Sequence, residues 1–307
     1  MLTKWRTWLT AMIGAFLLIA PLVLNTYPKL LLTEMLIFGL FAAAIDLLAG
    51  MVDRVTLGHG AIFGMGAYVV AWCQLSGGMD IWTASLLGVV GASLLALLFG
   101  LLSVRTSGVY FMLLTLALGM VVWGVAYRWV SVTGSESGLR GVSRPAFLQD
   151  YDHFYWFVLF VVAVVFALLR LVARSQFGLA LRAIRESPQR MATLGYHVPY
   201  ALTMVFLISG FAAGVAGVLD VWLNNFVSPT TVSLGQSVKG LLMAILGGVG
   251  TLWGGFVGAI VIIALENIVS FYTERWTTVL GLLFIFAVLF APNGLIGLFS
   301  RKQRTGR

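Results

Sequence analysis

Apolar runs of nearly membrane-spanning length follow one another along almost the whole chain, and this succession decides what it can become. They occupy residues 9–24, 31–50, 57–75, 81–102, 109–127, 154–173, 201–223, 238–253, 255–272 and 277–299. A bilayer core takes about 20 apolar residues per helix. Inside lipid every backbone polar group must be satisfied within the protein, which leaves helices as the natural form for runs of this length. Only 10% of the residues are charged and 60% are hydrophobic, whereas soluble domains carry roughly 25% charged residues. The expectation is an all-α polytopic membrane protein with about ten transmembrane or re-entrant helices, forming one domain over 1–307. The third and eighth runs are short or glycine-rich and are the two expected to be broken or re-entrant.

The start, "MLTKWRTWLTAMIGAFLLIAPLVL", sets Lys4 and Arg6 before an apolar run, as a signal peptide would. The next apolar run follows within a few residues, so this one is read as an uncleaved first span. With the N-terminus inside and all ten runs crossing, 13 Lys and Arg fall inside and 6 outside, together the 19 present. The positive-inside rule therefore puts both termini and the segment 174–199 in the cytoplasm. The longest outer loop, 128–153, holds "SVTGSESGLRGVSRP" and reads as turns. The net charge of +8 belongs to this asymmetry and not to nucleic-acid binding, since no aromatic-interleaved basic patch accompanies it.

Much chemistry is excluded. Lys4, Lys29, Lys239 and Lys302 are the lysines, and none follows a glycine, so no P-loop is present. His59, His153 and His197 have no metal-ligand spacing, and Cys73 is the only cysteine. Neither a G-x-S-x-G elbow nor an H-E-x-x-H pair occurs. No catalysis, metal or cofactor is expected of this chain. Glu34, Asp46, Asp220 and Glu266 fall within apolar runs, where acids suggest an ion pathway. Their places near the run ends are read instead as reaching the interface. An ion-coupled carrier, which would need acids nearer mid-span, is the rival reading, and a scaffold or channel is the third.

Gly60-x-x-x-Gly64, Gly210-x-x-x-Gly214 and Gly254-x-x-x-Gly258 are faces on which helices can approach closely. The run from Gly247 and Gly248 to Gly250 is denser than packing needs and is expected to be unwound, lining a path. The most polar stretch is "RSQFGLALRAIRESPQRMATLGYHVP" at 174–199. Phe177, Leu181 and Ile184 form an apolar stripe on a short helix. Ser187 and Pro188 begin a second one, and Gly195 ends it. Capped helices and a stripe in need of a surface suggest a docking platform for a cytoplasmic partner.

Several stretches then add a resemblance. "TLGHGAIFGMGAYVVA", "SGVYFMLLTLALGMV", "SQFGLALRAIRESPQRMATLGYHV", "VSPTTVSLGQSVKGLLMAILGGVGTLWGGFVGA" and "LFAPNGLIGLF" closely resemble permeases of ABC importers for branched-chain amino acids, over roughly 45–298. The chain is similar to the longer of their two permease types. The resemblance implies a type II importer fold, a second permease subunit, two cytoplasmic ABC ATPases and a periplasmic binding protein, in a bacterial inner membrane. It implies ATPase coupling through Arg182, Ala183, Arg185, Glu186 and Gly195. It puts Gly58, His59, Gly64, Gly66, Tyr68, Tyr110, Thr115, Gly247, Gly248 and Gly250 near the translocation path. Related permeases serve urea, short amides and aromatic acids, and the sequence departs from the family pattern at Met51–Val55 and at Thr133–Glu136, so the substrate stays open among these.

Overall fold

The computed structural model describes residues 25–272 and, beyond them, positions 278, 281–282 and 294–295. The run at 9–24 lies outside the described residues, as does that at 277–299 apart from those few positions. Among the described residues six helices are long and apolar enough to cross a membrane: α1 (Thr26–Val52), α3 (Ile81–Ser103), α4 (Gly108–Arg128), α6 (Tyr151–Arg174), α9 (Val198–Asn224) and α11 (Trp253–Tyr272). Between them lie α2 (His59–Leu75), α5 (Val130–Thr133), α7 (Gln176–Glu186), α8 (Pro188–Thr193) and α10 (Leu234–Gly247).

Helix α1 is apolar around its whole circumference, the pattern of a helix buried on every side. It is the central post, with α6, α9, α10 and α11 packed around it. Helix α3 shows the opposite design. Ala84, Gly88, Ala92, Ala96 and Gly100 recur every fourth residue and are buried, while Leu86, Leu94 and Leu101 are exposed on the other side. Small residues let backbones approach where no hydrophobic effect drives association. Gly210 and Gly214 of α9 accordingly meet Ala96 and Ala92. The other two glycine faces also pack: Gly60 and Gly64 against the segment 231–237, and Gly254 and Gly258 against α10 and the turn after it.

The two weak runs become the two short helices. Helix α10 has 14 residues, about 21 Å at 1.5 Å each, and stops at Gly247, well before the expected end at 253. Helix α2 does not start at the end of α1. The backbone 53–58 first turns back into the protein, where Leu57 N–H donates to Thr115 Oγ1 at 3.2 Å and Gly58 N–H to Thr56 Oγ1 at 3.2 Å. Irregular backbone at depth requires such internal partners.

The segment 129–150, expected to be an outer loop, is more ordered than its turn-rich composition suggests. A two-residue strand β1 (Leu139–Arg140) pairs antiparallel with β2 (Phe226–Val227), Leu139 opposite Val227. Arg144 donates to the Trp222 and Leu223 carbonyls at the end of α9 and lies over the Phe154 ring at 4.5 Å. Three of the four intramembrane acids do not reach outward as expected. Asp46 and Asp220 are 1% and 7% exposed, and Glu266 pairs with Lys239 at 2.6 Å. A charge in lipid is tolerated when a partner is available within the bundle. Lys239, counted above with the outer loops, thus belongs to a helix.

Candidate functional site

Two places carry the residues singled out by sequence: the interior around the start of α2, and the polar helices α7 and α8 with the turn between α10 and α11.

At the first, His59 is fully buried. Its Nε2 lies 2.7 Å from Ser209 Oγ and its Nδ1 3.2 Å from Thr56 Oγ1. Ser209 donates its proton to the Ala44 carbonyl at 2.5 Å, so Nε2 must be the donor toward Ser209 and Nδ1 accepts from Thr56. The ring is neutral and fully partnered. It ties α2 to α1 and α9 from inside both. Thr115 serves the same region, accepting from Leu57 N–H and donating to the Met112 carbonyl at 3.0 Å. Gly58 sits against Phe99, Gly64 against Val232 and Gly66 against Gly214. Tyr68 is buried with a hydroxyl that finds no partner among the described residues. Tyr110 stands apart, 77% exposed near the start of α4. Most of this set therefore forms one packed junction rather than an open lining.

The second place is built as its local signals predict. Ser187 Oγ accepts from Arg190 N–H at 3.4 Å to start α8, with Pro188 in its first turn. Ser175, which no sequence signal singles out, accepts from Gly178 N–H at 3.3 Å to start α7. Gly195 has φ 88° and ends the pair. Leu181 and Ile184 are buried and Phe177 half-buried. The surface they cover belongs to this chain, because α7 packs on α1 and α6. The stripe anchors the helix, and the face left outward holds Leu179, Glu186, Gln189 and Arg190.

The two arginines of α7 grip the ends of spanning helices. Arg182 donates to the Ala173 carbonyl in the last turn of α6, and Arg185 Nη1 donates to the Gly50 carbonyl in the last turn of α1 at 2.8 Å. Helix C-termini leave carbonyls unpaired and carry partial negative charge, which suits a guanidinium. Gly50 in turn touches the glycine turn: a Cβ there would lie 2.4 Å from Gly250 Cα. Asp46, one helical turn earlier, accepts from Gly250 N–H at 2.6 Å and from Leu252 N–H at 2.7 Å. These bonds hold Leu252 at φ 57°, a region costly for a branched side chain. Gly248 and Gly250 are unwound as expected, while Gly247, expected to be unwound with them, is the last helical residue of α10. The amides of Gly250 and Leu252 are taken by Asp46. Sequence reasoning missed this pairing. Asp46 stood out as a buried acid, but nothing local tied it to a turn more than two hundred residues away.

Residues 27–291 match the model of the family described as "Branched-chain amino acid transport system / permease component". The chain belongs to that family. Among curated members, it is 23% identical to the high-affinity branched-chain amino acid transport system permease protein LivM of Escherichia coli, over 86% of this chain and 68% of that protein. It is 25% identical to LivH of Salmonella typhimurium, over 85% of this chain and 91% of the relative. It is 26% identical to the autoinducer 2 import system permease protein LsrC of Klebsiella pneumoniae, over 60% and 54%. No solved structure matches the chain. As a member of a permease family with six spanning-length helices among its described residues, the chain is a multi-pass membrane transport subunit that works with other subunits.

Proposed function

We propose that this permease forms, with a second permease subunit, the path by which an ATP-driven importer carries branched-chain or chemically related amino acids inward. Two cytoplasmic ATPases would bind the outward face of α7 and α8, and a binding protein would deliver substrate at the loop carrying β1. Both termini would lie in the cytoplasm of a bacterial cell and the chain itself in the inner membrane. The chain has no P-loop, so the work must arrive from a partner. Arg182, Ala183, Arg185, Glu186 and Gly195 belong to the receiving element.

The observation that carries this reading is the continuous link from Arg185 through Gly50 to the turn at Gly250. Helix α7 is tied to α1 and α6 but is not buried between them. A push on it therefore reaches the central post and, through Asp46, the hinge of α10 and α11. The junction of Gly58, His59, Gly64, Gly66 and Thr115 would be the fixed body against which that hinge moves, with Tyr68 and Tyr110 on its margins.

The test is uptake by the complete reconstituted importer. Labelled leucine, isoleucine or valine should enter proteoliposomes only with ATP, the ATPases and the binding protein. Uptake by the chain alone, or uptake that stops when a proton gradient is collapsed with ATP still supplied, would overturn it. Transport of urea or an aromatic acid in preference to these would keep the mechanism and reassign the substrate.

A further inference from the structure

A cavity of about 740 Å³ opens at the end of α6, between α7 and the turn after α10. Arg170, Arg174, Arg182 and Arg185 all line it, together with Trp253 and a single acid, Asp46. Both carboxylate oxygens of Asp46 are engaged by the Gly250 and Leu252 amides. The ion pairs among the described residues are Lys29–Asp152, Asp150–His153 and Lys239–Glu266, so none of the four guanidiniums has a carboxylate partner there. Two of them are fixed in place by helix-end carbonyls, and Arg170 lies 5.8 Å from the Trp253 ring. A guanidinium has five N–H donors in a planar fork, so a single bond to a carbonyl leaves most of them free for an anion. The positive-inside rule accounts for arginines at this end of the molecule. It does not account for four of them converging on one cavity without a counter-charge.

We propose that this cavity binds the phosphate headgroup of an anionic phospholipid from the cytoplasmic leaflet. Planar forks match phosphate oxygens in pairs, and basic clefts between helices on the cytoplasmic side suit anionic headgroups. The flanking helices favour a lipid over free phosphate. Ala163, Ala167, Arg170 and Arg174 lie on one stripe of α6, with both alanines exposed. Trp253, Val257 and Ile260 lie on one stripe of α11, with Ile260 exposed. Each stripe is apolar toward the middle of its helix and reaches a cation or an interfacial tryptophan at the cavity, the same order as acyl chain and headgroup. The inference rests on the cytoplasmic placement of α7 proposed above.

Native mass spectrometry of the complete importer, purified in detergent and exchanged with phosphatidylglycerol or phosphatidylcholine, tests it. Phosphatidylglycerol should be retained and phosphatidylcholine released. Arg170→Gln with Arg174→Gln, which spares both anchoring bonds of α7, should weaken retention about thirtyfold. Arg170→Lys with Arg174→Lys should recover most of it, and an unchanged melting temperature separates lost binding from misfolding. Equal retention of the two lipids, or no change in the Gln variant, overturns the proposal. So does displacement by excess inorganic phosphate, which would mark a soluble-anion site. Loss of ATPase association with lipid retention intact would assign the cavity to an acidic segment of the partner instead. Uptake that fails while phosphatidylglycerol stays bound counts against the importer reading alone. Labelling of Gln189→Cys from each side reads the placement separately.

Discussion

Arg185 and Gly50 lie far apart in sequence and are joined by a 2.8 Å hydrogen bond from guanidinium to carbonyl. One belongs to a polar helix outside the bundle, the other to the most deeply packed helix inside it. Arg185 is an exposed residue and the bond is only partly buried, so it contributes only about 1 kcal/mol to stability. Its value is in where it attaches.

Replacing Arg185 by Ala should therefore leave the melting temperature and the association with the ATPases nearly unchanged. Uptake per ATP hydrolysed by the reconstituted importer should fall by about tenfold, the equivalent of roughly 1.4 kcal/mol of coupling. Loss of ATPase co-purification with intact coupling in the remaining complex would show that Arg185 is a docking charge.

Asp46 is predicted to behave in the opposite way. In Asp46→Ala the Gly250 and Leu252 N–H groups lose their acceptor, the buried Leu252 amide at about 1–3 kcal/mol, and Leu252 loses what holds its left-handed backbone. Thermal unfolding of the purified importer should shift down strongly. Gly50→Ala should do the same by a different route, since its Cβ would fall 2.4 Å from Gly250 Cα. A Gly50→Ala variant as stable as the parent would mean the two backbones separate freely.

How far these elements were legible in sequence follows from how local their causes are. Ser187, Pro188 and Gly195 act on the next few residues, and the helix they bound forms where the sequence puts it. The small-residue faces at Gly60, Gly210 and Gly254 were likewise readable as packing faces. What covers the Phe177–Ile184 stripe was not readable, because a periodicity states that a face is buried and not by what. The pairing of Asp46 with Gly250, of Lys239 with Glu266 and of Arg144 with α9 depends on which helices become neighbours. Hydropathy runs say nothing of that. The same limit applies to His59, whose partner Ser209 is reached only once α2 starts inside the bundle.

Arg144→Ala should loosen the loop at 129–150. It frees the Trp222 and Leu223 carbonyls and removes a ring-stacked cation, together about 3 kcal/mol. Limited proteolysis of the purified protein should then cut within 129–150 well before the rest of the chain. Arg144→Lys should not restore protection, because an ammonium cannot reproduce the planar fork.

Orientation is testable with one thiol at a time. Cys73 is buried, so it gives a low background. A membrane-impermeant maleimide should reach Gln189→Cys only after the cytoplasmic side is opened, and Glu136→Cys in intact spheroplasts. The reverse pattern would invert the topology drawn from the arginine count.

Helix α10, at about 21 Å, falls short of a hydrocarbon core of about 30 Å, and it carries Lys239. Such a segment has little reason to leave the translocon for lipid on its own. Joined to α11 by the turn that Asp46 holds, and with Lys239 meeting Glu266 at 2.6 Å, it becomes half of a hairpin in which the two charges cancel. The hairpin is therefore the expected unit of insertion. On that expectation synthesis proceeds past Glu266 before Lys239 enters the membrane, and a chain truncated between them should leave α10 stranded in water.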